Sequence, residues 1–319
     1  MFLEVRNMDL LFEVKKTTKK IVKQSKKVRI NEDKIKELAR IWKKEKVLPV
    51  YFPKRYHFLG NSQETSQYLF FLDSINFSFF AGKGERKWRK NNLTGYFALS
   101  FALKKEIAKI LDINFFKNCS FSDLRKVLGN IPLLPERLKI LRENSKILIE
   151  NFDGKIENLI KKSNHQAENL ILLLVKYFPS FRDMAIFEGK KVYFLKRAQI
   201  FCADLYQALK GKDLGKFKDI ERLTAFADYK IPQILHFFGI LEYSKELEEK
   251  IKNKIEIKPN SKEEIEIRAN TIWAVEYFKD VLRELGMDFY SFQIDNILWE
   301  KSQKIKINFP HHITRTINY

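Results

Sequence analysis

Between residues 31 and 47, Ile35, Leu38, Ala39 and Trp42 recur every three or four positions among charged residues. One face of that stretch is apolar and the other solvated, which predicts a helix. Asn31 stands where it can cap the helix, and Glu32 and Asp33 suit the positive end of its dipole. Pro49 and Pro53 then interrupt the chain. YLFFLDSINFSFFAG (68–82) is too apolar for a surface loop, and its INFSF alternates like a short strand. The next residues, AGKGER, read as a flexible turn, because they lack the ending and spacing of a Walker phosphate loop. From 93 to 178 the pattern is mainly helical. Pro135 fits a first helical turn, Leu138, Leu141, Leu148 and Phe152 share one face, and Gly154 can end the helix. Ser163 is placed to cap the next segment, which stops before Pro179. Residues 190–211 begin strand-like and become a helix with Leu195, Ala198, Cys202 and Leu205 inward, closing at Gly211. Two further helices are expected over 265–285 and 289–302.

One stretch breaks this regularity. In LTAFADYKIPQIL (223–235), Leu223, Phe226, Ala227, Ile231, Ile234 and Leu235 keep helical spacing, yet Asp228 lies beside that apolar face. Pro232 has no N–H for the carbonyl of residue 228, so a helix breaks or begins there. Asp228 therefore belongs to an irregular turn, flanked by Phe226 and Tyr229, whose rings could form a stacking wall. It either caps the helix that opens toward Pro232 or serves as a carboxylate held in an aromatic pocket. The pattern alone leaves both open.

Composition favours long helices. The 319 residues are 45% hydrophobic, with 28 Phe but only 11 Gly and 8 Pro, which argues against a turn-rich sandwich. The expected fold is mainly α: a basic N-terminal arm or helix over 1–30, then one helical domain with minor β content over 31–319. Cys119 and Cys202 have no metal-ligand or disulfide pattern and suit a reducing compartment. The longest aliphatic run, LILLLV, is far too short to span a bilayer, and the first residues lack the form of a signal peptide. A soluble cytoplasmic protein without membrane association is expected.

A formal net charge of +20 invites a nucleic-acid reading. Two observations weaken it. The 45 lysines far outnumber the 15 arginines, and half of the excess positive charge falls within residues 1–55. A solvated basic face is the simpler account.

The chain carries no nucleophile elbow, zinc motif or dinucleotide fingerprint. Its five histidines include no metal-binding pair at helical spacing, so neither a metal nor another cofactor is expected. What remains is acids in apolar company, paired cations and many rings. Lys196 and Arg197 open a helix and together suit a phosphate group, although a buried ion pair plus a solvated charge would look the same. Asp73 and Asp295 are acids among apolar residues that could simply satisfy backbone donors. His57, between two aromatics, reads as a packed histidine more readily than as a catalytic one.

Six ordered segments carry a resemblance: LDSINFSF (72–79), LTGYFAL (93–99), FPSFRDMAIFEGKKVYFLKRAQI (178–200), FADYKIPQIL (226–235), EIEIRANTIWAVE (264–276) and the terminal FPHHITRTINY. Over roughly 35–319 the chain resembles the queuosine salvage proteins, or queuosine 5′-phosphate N-glycosylase/hydrolases. Phe80 stands where the family pattern has tryptophan. The resemblance implies a helical fold similar to that of DNA glycosylases. It also implies hydrolysis of queuosine 5′-phosphate to queuine and ribose 5-phosphate, with a small-molecule substrate and no obligate nucleic-acid partner. Carried onto this sequence, Asp228 is the expected catalytic carboxylate and Phe226 the ring against the base. His57 and Asp295 are expected queuine contacts, and Lys196 a phosphate or catalytic-site lysine. A base-excising glycosylase on intact RNA or DNA, or a non-catalytic RNA-binding protein, are the alternatives.

Overall fold

The computed structural model describes residues 8–82 and 84–319. Residues 1–7 of the basic segment and Lys83 of the AGKGER turn lie outside the described residues. The described chain is mainly helical, with three small antiparallel strand pairs.

The first helices follow their apolar stripes. In α1 (Leu10–Gln24), Asp9 accepts the Phe12 N–H at 2.8 Å, and Leu10, Leu11, Val14 and Ile21 are buried. In α2 (Glu32–Glu45), Asn31 caps as expected, and Ile35, Leu38, Ala39 and Trp42 face inward. Helix α3 (Ser62–Ser74) opens with a capping box between Asn61 and Glu64 and is buried from Thr65 onward. Four short helices come next: α4 (Gly95–Lys105), α5 (Ile107–Leu111), α6 (Ile113–Asn118) and α7 (Phe121–Leu128). Pro135 lies in the first turn of α8 (Leu134–Phe152), and Gly154, at φ +73°, ends it by donating to the Leu148 carbonyl.

Helices α9 (Ile156–Lys162) and α10 (Ala167–Tyr177) correct one expectation. Ser163 closes α9 instead of opening α10, and its hydroxyl donates back to the Ile160 carbonyl at 2.6 Å. The cap of α10 comes from far along the chain: Asp219 accepts from the N–H groups of Ala167 and Glu168. No local pattern could reveal it.

The remaining helices are α11 (Lys196–Ala208), α12 (Lys230–Phe237), α13 (Lys245–Lys252), α14 (Lys262–Glu284) and α15 (Ser291–Lys304). Strand β1 (Val28–Ile30) pairs with β6 (Leu241–Tyr243), β2 (Arg89–Lys90) with β3 (Leu93–Thr94), and β4 (Met184–Phe187) with β5 (Lys190–Tyr193). The strand-like opening of 190–211 is thus β5, which runs into α11.

INFSF forms no strand. Its alternation is real in sequence, but Ile75, Asn76, Phe77, Ser78 and Phe79 are all buried, so it has no solvent face. Side chains replace a partner strand. Arg197, Lys196 and Arg137 donate to the carbonyls of Ser74, Asn76 and Phe77 respectively. Ser78, at φ +41°, donates its N–H to the Tyr319 carbonyl and its hydroxyl to that of Thr316. Every buried backbone acceptor needs a donor, and here long cations supply them.

Two apolar cores result. The larger joins α1, α3, α4, α7, α8, α10 and α11. The smaller joins α2 and α12 to α15. Helix α14 contributes to both, burying Ile265, Ala269 and Ile272 in one and Ile267, Ala274 and Phe278 in the other.

Candidate active site

A cavity of about 810 Å³ opens where α11 of the larger core faces α12 and α15 of the smaller. That volume lies in the range of small-ligand pockets. Phe77, Phe79, Phe80, Tyr96, Phe97, Phe226 and Tyr229 line the cavity with aromatic rings, and Phe80 meets Tyr229 edge to face at 5.2 Å.

Asp228 sits on this cavity at the entrance to α12. Its Oδ1 accepts from the N–H groups of Lys230 (2.7 Å) and Ile231 (2.9 Å). Pro232 falls in the first helical turn, where a missing N–H is harmless. Both readings of the turn therefore hold at once. One oxygen of Asp228 caps the helix, and Oδ2 makes no hydrogen bond to the described residues. Capping fixes the carboxylate's orientation, and the free oxygen is the one available to a ligand.

Asp295, from α15, is buried beside it. Its Oδ2 accepts the Phe226 N–H at 2.8 Å, which anchors the backbone that carries the Phe226 ring. Burial, followed by the nearby Asp228 charge, pushes the Asp295 carboxyl well above the usual carboxylate range. The Phe226 N–H and the Lys196 charge oppose that shift, and an incoming cation would favour the ionised form further.

Lys196 begins α11, and its side chain is only 5% exposed. Leu195 precedes it at φ +54°, and this left-handed turn from β5 lets the Lys196 N–H reach Asp183 Oδ2 at 3.0 Å. Burial lowers the pKa of the ammonium, against the opposing charges of Asp228, Asp295 and Asp73. The lysine is thus the cation around which these acids gather.

Two expected site residues stand elsewhere. Arg197, next to Lys196, points away from the cavity: its guanidinium binds the Ser74 and Ser180 carbonyls and lies over the rings of Phe77 and Phe181. Successive helical residues diverge by about 100°, so the pair cannot close on one phosphate. His57 lies behind the cavity wall, packed on Phe52, Tyr68 and Tyr96, and burial pushes its pKa down to about 3. It supports two lining rings, Phe52 and Tyr96, without itself lining the cavity.

The structure adds residues that sequence reasoning missed. Asp204 lines the cavity and accepts the Tyr96 hydroxyl at 3.0 Å. Burial pushes its carboxyl up to about 7, opposed by the Tyr96 bond and the Lys196 charge. A signal was present: Lys196, Ile200, Asp204 and Gln207 follow helical spacing, and all four line the cavity. The apolar stripe on the opposite side of α11 is the stronger pattern and masks it. Lys87, Lys230, Asn296 and His311 add to the polar lining, as do Glu300, Gln303 and Lys304.

Fold and site together define a mainly helical protein with a cavity of small-ligand size lined by acids and aromatic rings. The family model described as queuosine salvage protein matches residues 56–319, and the chain belongs to that family. Among its relatives, a Sphaerobacter thermophilus protein is 37% identical over 314 residues, covering 95% of this chain and 96% of its own. A Dictyostelium discoideum protein is 36% identical over 330 residues, covering 98% and 100%. A Mus musculus protein is 35% identical over 282 residues, covering 82% and 83%. All three bear the name queuosine 5′-phosphate N-glycosylase/hydrolase. Among the described residues no helix is long and apolar enough to cross a membrane.

Proposed function

We propose that the chain hydrolyses the N-glycosidic bond of queuosine 5′-phosphate, releasing queuine and ribose 5-phosphate for salvage into tRNA modification. The observation that carries this reading is the half-engaged carboxylate of Asp228, capped through Oδ1 and free at Oδ2 on the wall of the cavity.

As the bond from C1′ to the base nitrogen breaks, its electron pair leaves with the base and the ribose takes on oxocarbenium character. A carboxylate already fixed by two backbone N–H groups meets that charge without reorganising, which is where electrostatic stabilisation is largest. Water adds its oxygen to C1′, one of its protons balances the base, and ribose 5-phosphate and queuine result. The 7-deazaguanine has no N7, so protonation must reach another base atom. Phe226 provides a flat face for the base. Asp295 binds the amine that queuine carries on its cyclopentenediol, and that cation favours its charged form. Lys196 acts beside Asp228, holding the acids of the site in register by its charge.

The test is separate incubation with the mononucleotide and with intact tRNA, each with EDTA present, followed by measurement of free queuine. Release from the mononucleotide is expected. Release from tRNA alone would replace the substrate. No release from either, with steeply salt-dependent RNA binding, would favour a binding protein.

A further inference from the structure

The deep cation of the cavity, Lys196, is poorly placed for a phosphate. It is almost fully buried, is bonded to the Asn76 carbonyl at 3.4 Å, and lies among Asp228, Asp295 and Asp73. A phosphate close to dianionic at neutral pH would be desolvated there and set against the Asp228 charge, both unfavourable. The rim offers a different environment. Lys87 is exposed, lines the cavity, and makes no hydrogen bond or ion pair with the described residues. Lys230 lines the same side, and its ammonium binds only the neutral amide oxygen of Gln233, at 2.7 Å. The Lys87 charge reaches Lys230, and both lysines act on His311, whose ring centroid lies 4.6 Å from that of Tyr229. Asp228, two residues away, acts on Lys230 by its charge but makes no ion pair with it, so the two ammonium groups at the exposed end keep their hydrogen-bond donors for an anion.

We infer that Lys87 and Lys230 together bind the 5′-phosphate of the substrate at the cavity rim, while Lys196 serves the reacting end. The inference rests on the proposed substrate and deepens it. The cavity then runs from a cationic rim to an acidic floor. A nucleotide with a phosphate at one end and an amine on its base fits that gradient in one direction only, with C1′ beside Asp228. A charge-assisted hydrogen bond to such a group contributes about 1.5–3 kcal/mol, which corresponds to roughly tenfold or more in affinity per contact.

The experiment measures inhibition of the wild type, Lys87→Ala/Lys230→Ala and Lys196→Ala proteins by ribose 5-phosphate, inorganic phosphate and queuine. Queuine inhibition serves as the check that the cavity remains folded. The double variant should lose affinity for ribose 5-phosphate and phosphate by roughly tenfold or more while binding queuine within about threefold of wild type. Its KM for the nucleotide should rise more than its kcat falls. Should the double variant keep its ribose 5-phosphate affinity, the inference is overturned. A loss confined to Lys196→Ala would place the phosphate on Lys196 and overturn it equally. Absence of queuine release from the mononucleotide by the wild type is a separate result, and it removes the substrate itself. If folding of the double variant suffers, Lys87→Gln and Lys230→Gln singly must each weaken ribose 5-phosphate binding, or the inference fails.

Discussion

Asp183 and Arg268 form a fully buried, two-pronged ion pair, Nη1 to Oδ1 at 2.8 Å and Nη2 to Oδ2 at 2.6 Å, that ties the two cores together at the cavity. Each partner also holds one side of the site. Asp183 accepts the Lys196 N–H, and its backbone carbonyl accepts those of Phe194 and Leu195. Arg268 Nε donates to the Ala227 carbonyl, one residue before Asp228. The distance between Lys196 and Asp228 is thus set by a pair that lies outside the cavity lining.

Arg268 also faces the buried Glu264 carboxylate at 3.6 Å, so removing it leaves two buried acids without their cation, at a cost of about 3–5 kcal/mol. Arg268→Ala should therefore lower the thermal midpoint by many degrees. Arg268→Lys keeps the charge but cannot make the two-pronged contact or reach Ala227 as well. It should fold with a smaller loss of midpoint yet show a clearly reduced kcat. Equal kcat for Arg268→Lys and wild type would mean that the pair serves stability alone.

Asp228→Asn separates the two roles of that residue. The asparagine oxygen can still accept from Lys230 and Ile231, so the cap and the thermal midpoint should change little. The charge that faces the ribose in the proposed reaction is lost. At about 1.36 kcal/mol per tenfold in rate, loss of several kcal/mol of transition-state stabilisation lowers kcat by roughly a hundredfold or more. Affinity for queuine should hold. Single-turnover rates and a melting curve on one preparation decide it, and near-normal turnover in a folded variant would remove Asp228 from the chemistry.

Lys196→Met keeps an apolar stem in the buried position and removes the charge. The site then loses the cation that faces Asp228 and Asp295, so the fall should appear in kcat. It should be of similar size for the nucleotide and for any activity on the unphosphorylated nucleoside. A loss confined to the nucleotide, seen in KM, would assign Lys196 to the phosphate.

Asp204 should make stability depend on pH. Its folded pKa of about 7 lies above the ordinary value of about 3.9. The folded state therefore holds the proton more tightly. That contribution to stability is complete below about pH 4 and is lost as pH rises through about 7. Asp204→Asn can still accept the Tyr96 hydroxyl but does not titrate. Relative to this variant, the wild type should lose stability between pH 5 and pH 8, as measured by denaturant midpoints. A difference independent of pH would show that Asp204 ionises normally.

The amino-acid sequence by itself determined the helices with clear stripes and local caps. Asn31 and the Ile35–Trp42 stripe fix α2 because every interaction involved lies within one or two turns. The irregularity at Asp228 was legible for the same reason, since a proline four residues on constrains only its own neighbourhood. Elements capped or paired at a distance were not legible. Asp219 caps α10 from 52 residues away, and the INFSF segment is held by Arg137, Arg197 and the C-terminal residues instead of a strand. Adjacent Lys196 and Arg197 looked equivalent as letters. Only the packing of α11 between core and cavity put Lys196 on the cavity among its acids and left Arg197 outside the lining, bonded to the Ser74 and Ser180 carbonyls. The acids of the site come from α11, the turn before α12, and α15. Their common surroundings, and the raised pKa values of Asp204 and Asp295, exist only once two cores close around one cavity, because burial is a property of the assembled fold and not of any stretch of chain.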